Sequence, residues 1–303
     1  MLEARETGAV SLTLGPVLFN WPTPMWTDFY ARIADEAPVD RVVIGEVVCS
    51  KRSPFRMDVI SDVVERLERA GKEVAISALA LPTLKREIAE VAGLAGCGHL
   101  VEINDVTALA AIAGTPHLVG PLVNVYNEET LAELESLGSV TVSLSPELPL
   151  SSIAILGAAR RKADLEIFAF GRAPLAISAR CYHARAHGLP KDGCKYVCEQ
   201  DLDGLEVETL DGQSFLAVNG VQTLGSGVTV LGQEISQLHA MGVSRLRLSP
   251  HTCDMVAVAN AYHDLLDGRL AWSELASTIE ALNLPAGIVN GYLHGKSGAV
   301  NVS

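Results

Sequence analysis

Short apolar runs recur along this chain at residues 10–18, 40–48, 73–80, 99–103, 117–126, 139–144 and 164–170. Each is rich in Val, Ile, Leu or Ala and is bounded by polar or turn residues, the pattern of a buried strand. Stretches with helical spacing lie between them, at 26–37, 57–70, 84–95, 105–113, 128–137 and 151–162. In 57–70 the apolar positions are Met57, Ile60, Val63, Val64 and Leu67. Gly71 follows, where a glycine commonly closes a helix. Regular alternation of strand and helix implies parallel strands joined by right-handed crossovers. Seven strands precede residue 171 and an eighth is expected at 245–248, so the pattern predicts a closed β/α barrel of the TIM type. An open, doubly wound sheet is the alternative, although no Gly-x-Gly-x-x-Gly follows the first strand to favour a dinucleotide fold.

Residues 199–232 break the rhythm. Short β-type runs at 205–210, 215–219 and 228–231 are joined near Asp211-Gly212 and Asn219-Gly220, both hairpin-turn dipeptides. The expectation is an antiparallel β-hairpin insertion at 199–232 within a single barrel domain, 1–303. Helices resume at 233–240 and 254–266, and a glycine-rich segment from Pro285 closes the domain.

Composition narrows the function classes. The chain has 303 residues, 49% of them apolar, which is enough for one large core. A net charge of -13 argues against non-specific binding to nucleic acid or anionic membrane. No apolar run reaches the roughly 18 residues of a transmembrane helix. The start, Met1-Leu-Glu-Ala-Arg-Glu6, carries acids where a secretory signal needs positive charge. A soluble, cytoplasmic protein is expected, and in a reducing cytosol its six cysteines are thiols or ligands rather than bridges.

Three of those cysteines, Cys181, Cys194 and Cys198, are spaced C-x12-C-x3-C beyond the 164–170 strand. Such short spacing points to a metal. Cys49, just past the second strand, is the fourth candidate, and in a barrel Cys49 and Cys181 would share the C-terminal face. Cys194 and Cys198, four apart, would share one face of a helical turn. Four thiolates suit an iron–sulfur cluster or a structural zinc; the lack of C-x2-C pairs favours iron–sulfur. The competing reading is scattered core thiols, which fits Cys97 and, with a smaller claim to a role, Cys253 in Pro250-His-Thr-Cys253. Lys51, Arg52, Arg56, Arg172, Arg180, His183, Arg185 and Lys191 gather near the cysteines in sequence. They could stabilise a negative cluster or clamp an anionic substrate. Arg180, beside Cys181, is expected to serve the sulfurs, and Arg172 either role. Glu46 could act as an acid or base or form a structural ion pair. His183, His187, His251 and His294 are expected to be polar lining.

At these residues the chain resembles a known family. Glu166-x-Phe168-x-x-Gly171 followed by a cysteine-bearing segment is similar to the signature of the collagenase-like peptidases. Glu46-Val-Val-Cys49-Ser-Lys-Arg52 and Pro174-Leu-Ala-Ile-Ser-Ala-Arg180-Cys181 resemble the branch of that family that serves ubiquinone biosynthesis. Arg172 and Pro174 stand where the peptidase pattern has a small residue and a cysteine, which weighs against proteolysis. The resemblance implies a 4Fe-4S cluster on Cys49, Cys181, Cys194 and Cys198. It also implies a heterodimer with a UbiU-like paralogue, a UbiT-like lipid-carrier protein as accessory partner, and a part in oxygen-independent hydroxylation of a ubiquinone precursor. A peptidase, or a cluster-binding subunit without chemistry of its own, are the alternatives.

Overall fold

The computed structural model describes residues 10–302; the acidic start, Met1 to Glu6, lies outside the described residues. Eight parallel strands close into a ring. They are β1 (Ser11–Leu14), β2 (Arg41–Ile44), β3 (Glu73–Ser77), β4 (Leu100–Ile103), β5 (His117–Val119), β6 (Ser139–Ser143), β7 (Asp164–Ile177) and, later in the chain, β11 (Val243–Leu248). Each pairs with the next, and β11 pairs with both β1 and β7. Between them run α1 (Thr23–Glu36), α2 (Ile60–Arg69), α3 (Lys85–Gly93), α4 (Leu109–Ile112), α5 (Glu128–Ser136) and α6 (Leu150–Ala159). The barrel expectation is met, and the open-sheet alternative is excluded by the β11–β7 pairing.

The helices form because their apolar positions fall on one stripe. In α2, Val63, Val64 and Leu67 are buried against the strands while the charged positions face water. The wall between helices and strands is one continuous apolar cluster. Part of the lumen is polar. Arg247 on β11 donates to Glu166 on β7 at 3.0 Å and to Glu102 on β4. Strands β11 and β4 are not neighbours, so this bond crosses the lumen. Burial pulls the Arg247 guanidinium down to about 9, and nearby Arg41 adds to the shift.

Two strands differ from expectation for identifiable reasons. The second was expected to run to Val48, but it stops at Ile44. Gly45 takes φ +133, and a Cβ there would stand 2.8 Å from the Ser77 carbonyl oxygen, so the chain turns where only glycine fits. The seventh was expected to end near Gly171; instead it bends there and continues to Ile177. Gly171 has φ +119, and its missing side chain leaves room for Ser249, 2.7 Å from a hypothetical Cβ.

Beyond that bend, β7 leaves the ring and pairs antiparallel with β10 (Gln222–Val230). Strands β9 (Ser214–Asn219) and β8 (Leu205–Glu208) extend this outer sheet, and β12 (Ile288–Val289) pairs with the other end of β10. The outer sheet therefore includes residues 171–177 as well as the hairpin strands. A short helix, α7 (Tyr182–Ala186), lies between β7 and β8. Helices α8 (Ile235–Ala240), α9 (Met255–Leu266) and α10 (Trp272–Glu280) complete the outer layer. Asp254 caps α9 by accepting from the backbone of Val256 and Ala257. No helix among the described residues is long and apolar enough to cross a membrane.

Candidate metal centre

Cys49, Cys181, Cys194 and Cys198 line one small pocket, together with Lys51, Arg52, His183, Lys191, Tyr196, Val197 and Gly220. Cys49 sits at the start of a 3-10 turn, Ser50–Phe55, that follows β2. Its backbone N–H and that of Val48 both donate to one oxygen of Glu46, at 2.9 Å each. Glu46 thus shapes the loop that presents the thiol. Burial pushes its carboxyl up, and Arg52, 4.0 Å away, opposes the shift. Cys181 caps α7, its sulfur accepting from the Ala184 N–H at 3.4 Å.

Cys194 and Cys198 do not share a helical face. Cys194 ends one 3-10 turn, Lys195 and Tyr196 are left-handed at φ 48 and φ 53, and Cys198 lies in the next turn, Val197–Gln200. Two consecutive non-glycine residues in that region reverse the chain, a conformation that must be held by its surroundings. Part of the support is the Phe55 ring, edge-on to Tyr196 at 4.8 Å.

Basic residues stitch the segments together. Lys51 reaches the Lys191 carbonyl at 2.7 Å and the Asp192 carboxylate at 3.1 Å. Lys191 in turn donates to the Ala179 carbonyl at 3.0 Å. Arg52 is buried at 2% exposure. It donates to the Leu18 carbonyl at 2.8 Å and to the Asn219 side-chain oxygen at 2.9 Å. The same guanidinium interacts with the sulfurs of Cys49 and Cys198, and its Nε–H has no protein partner. His183 accepts its place from both sides, bonded to the Val218 carbonyl at 3.2 Å and to Asp201 at 2.8 Å. Burial lowers its pKa, although Asp201 resists the shift.

Two expected roles are not met. Arg172 is buried elsewhere, tied to the Gly225 and Ser226 carbonyls and to Glu206 between the outer strands. Its distance from the thiol pocket follows from the turn at Gly171, which sends β7 out of the ring. Arg180 is exposed, and its side chain does not line the pocket. The buried cation at the thiols is Arg52, which sequence adjacency to Cys181 did not single out. A signal was present in Asn219-Gly220, read only as a turn: a Cβ on Gly220 would meet the Arg52 Nη2 at 2.8 Å.

The remaining candidates lie apart. Cys97 bonds locally to the His99 carbonyl at 3.7 Å. Cys253 lines a separate cleft with Trp21 and Phe29, and burial pushes its thiol up to about 12. His251 is held between Asp203 at 3.0 Å and the Arg172 N–H at 3.0 Å, so both ring nitrogens are engaged. His187 stacks on His183 at 5.6 Å, and His294 bonds Glu234 at 2.8 Å. Arg185 makes no side-chain bond in this pocket.

The donor set tests the metal reading. A single zinc draws four sulfurs to about 2.3 Å from one centre. Among the described residues, no group of three or more His, Cys, Asp or Glu is placed so that it could hold a metal ion as the side chains stand. A four-iron cluster is a wider body held at its corners. The four thiols are near enough to feel one another: Cys198 acts on Cys49, and Cys194 and Cys198 act on Cys181. Burial raises the Cys49 and Cys181 thiols above their ordinary value, and these neighbours raise them further. Four all-sulfur donors, one buried guanidinium and an unpaired N–H fit an anionic iron–sulfur group, whose loading displaces the thiol protons.

The fold and site together define a β/α barrel with a thiol-lined pocket where an outer sheet meets the β2 loop. The sequence pattern of peptidase family U32 matches residues 28–302, and the chain belongs to that family. Among solved structures it is similar to the tryptophan synthase complex from Pyrococcus furiosus, at 12% identity and TM-score 0.43, over 90% of this chain and 98% of that one. It is also similar to tryptophan synthase from Mycobacterium tuberculosis, at 12% identity and TM-score 0.33, over 91% and 93% of the two chains. A third is the phospho-2-dehydro-3-deoxyheptonate aldolase of Thermotoga maritima, at 11% identity and TM-score 0.34, over 93% and 72%. Likenesses this distant say nothing of chemistry or ligand.

Proposed function

We propose that this chain is an iron–sulfur subunit that works with a UbiU-like paralogue in oxygen-independent ring hydroxylation of ubiquinone precursors, the role of UbiV, which its two cysteine motifs resemble. The observation that supports this reading is the meeting of Cys49 with Cys181, Cys194 and Cys198 on one pocket. Those residues come from segments on opposite sides of the barrel sequence, and nothing in the fold alone requires thiols at all four places. In this reading the four cysteines hold a 4Fe-4S cluster, which when bound supplies one-electron transfer. Arg52 offsets its negative charge, Glu46 fixes the Cys49 loop, and Lys51 and Lys191 keep the segments in register. With a cysteine on every iron, no position is left open for substrate, so the group suits an electron relay or a structural core. A UbiT-like lipid carrier would deliver the precursor.

The test is anaerobic purification with iron and sulfide analysis and an absorption spectrum, followed by co-expression with the paralogue. About four irons and four sulfides per chain, and a one-to-one complex, support the reading. A colourless, iron-free protein after anaerobic reconstitution overturns it.

Family membership supports a second reading, a peptidase. Cleavage of gelatin or collagen peptides by the purified chain, abolished by a substitution in the thiol pocket, would support it over the first.

A further inference from the structure

Residues 49–56 and 178–198, the two segments that carry the four thiols, hold seven of the chain's 23 Lys and Arg residues and one of its 36 Asp and Glu residues. Asp58, Glu199 and Asp201 border these segments, and the balance stays positive with all three counted. The whole chain has a net charge of -13, so the thiol pocket opens on a basic island in an acidic molecule.

Four of the seven cations are already engaged. Arg52 is buried among the sulfurs, and Arg56 is tied to the Thr23 hydroxyl at 2.7 Å and to the Trp21 carbonyl. Lys51 and Lys191 join the two segments. The other three, Arg180, Arg185 and Lys195, are exposed and make no side-chain hydrogen bond or ion pair among the described residues. The backbone sets them around the pocket opening. Lys191 donates to the Ala179 carbonyl at 3.0 Å, next to Arg180. The Arg185 N–H donates to the Cys181 carbonyl at 3.2 Å, closing the turn that begins at that thiol. Lys195 stands between Cys194 and Tyr196, both of which line the pocket. Phe55, Tyr182 and Tyr196 are exposed on the same segments. Aromatic rings and guanidinium groups are the side chains enriched where proteins dock.

Three separated cations suit a broad acidic surface better than a small anion, which would touch one or two of them. The acidic remainder of the chain opposes a nucleic acid that extends beyond the island. Cys49, Cys181 and Cys194 are only half-buried, so a redox group held there lies close to this surface.

We infer that this face docks a small acidic protein that carries single electrons. The inference rests on the iron–sulfur reading for its choice of partner, and on the charge pattern for its choice of place. In the complex one electron passes between carrier and cluster, the one oxidised as the other is reduced, with no covalent bond made or broken. Redox contacts of this kind are small and transient, and charge steers the encounter more than it holds the complex.

The test uses the full chain after anaerobic reconstitution, with its iron counted first, both alone and in complex with the paralogue. The probes are oxidised plant-type ferredoxin, which is acidic, and α-lactalbumin, which is acidic and has no redox group; each is titrated calorimetrically. Ferredoxin should bind saturably, one per chain, at about 50 mM salt, and about tenfold or more weaker at about 300 mM. α-Lactalbumin should bind at least about tenfold weaker than ferredoxin. The double variant Arg180→Glu, Arg185→Glu should keep its iron and weaken ferredoxin binding about tenfold or more. Lys195→Glu reads the same face should that variant fail to fold. Lys162→Glu, exposed just before the N-terminal end of β7 and so at the other end of the barrel, should leave binding unchanged. An iron-free protein would overturn the functional reading and this inference with it. An iron-loaded chain that ignores ferredoxin would overturn this inference alone. Equal binding of α-lactalbumin, indifference to the charge reversals, displacement of ferredoxin by the paralogue, or saturable binding of a single-stranded RNA oligonucleotide at the same cations would also overturn it.

Discussion

Arg52 donates to the side-chain oxygen of Asn219 across 2.9 Å, joining the loop after β2 to the turn between β9 and β10. Asn219 in turn donates to the Leu18 carbonyl at 2.7 Å, which Arg52 also reaches. This buried triangle binds the Cys49 segment to the outer sheet on which the other three cysteines are packed. It makes the thiol pocket a product of two structural units rather than of one motif.

Arg52→Met should therefore act on both stability and site. It strips the buried Asn219 side-chain oxygen of its donor, removes one of the two donors to the Leu18 carbonyl, and leaves Glu46 without its nearest cation. A loss of about 3–5 kcal/mol is expected in a denaturant titration. In protein that still folds and carries a cluster, the midpoint potential should move downward, because a buried positive charge favours the more reduced state. Arg180→Gln, on an exposed side chain away from the pocket, should leave that potential where it was. A potential unmoved by Arg52→Met would show that the guanidinium serves packing only.

The ligand assignment separates six cysteines into two classes. Replacing Cys49, Cys181, Cys194 or Cys198 by Ala should abolish iron loading and colour. Replacing Cys97 or Cys253 should not, since neither lines the pocket. Full iron content in Cys194→Ala protein would remove that residue from the set.

Gly171 should tolerate no side chain. At φ +119, with Ser249 2.7 Å from the added Cβ, Gly171→Ala meets both backbone strain and a clash. A loss of roughly 2–4 kcal/mol is expected, measured as a lowered denaturant midpoint. Near-wild-type stability would mean that the outer sheet can shift without cost.

Glu87 gives a pH signature. Burial opposes its charge, but donors from Ser50, Leu84 and Thr83 outweigh it and hold the carboxyl at about 2, from an ordinary 4.5. A carboxyl depressed on folding adds stability that is present above pH 4.5 and is lost as pH falls toward 2. Glu87→Gln should lower stability at neutral pH by about 1–2 kcal/mol and flatten the acid limb of the stability curve. Because Glu87 holds the Ser50 hydroxyl at 2.5 Å, next to Cys49, acid should also loosen the thiol loop. Iron retention measured against pH, in the wild type and in the variant, checks that link.

Much of the barrel could be read without coordinates, since repeated apolar runs separated by helical spacing leave few other ways to bury both kinds of surface. Three of the cysteines that line the pocket, Cys181, Cys194 and Cys198, were also visible as soft donors at short spacing, and Cys49 as a thiol just past the second strand. Arg52 was visible only as one of many basic residues, because sequence adjacency says nothing about which cation is carried inward. The ends of β2 and β7 were misjudged in opposite directions: the apolar run past Gly45 reads as strand although the backbone turns there, and Gly171 reads as a strand end although the strand only bends there and continues. Whether a glycine interrupts a strand or bends it depends on what approaches its vacant Cβ, here Ser77 and Ser249.

The sequence by itself determined the alternation of elements, and hence a parallel barrel, because apolar periodicity is a local property that burial must satisfy. It also determined the supply of thiols. Only the tertiary structure decided that β7 would leave the ring, that Arg172 would be used between outer strands, and that Arg52 would stand among the sulfurs. Those outcomes rest on contacts between segments far apart in the chain, where shape and the pairing of buried polar groups, rather than local pattern, choose the partner.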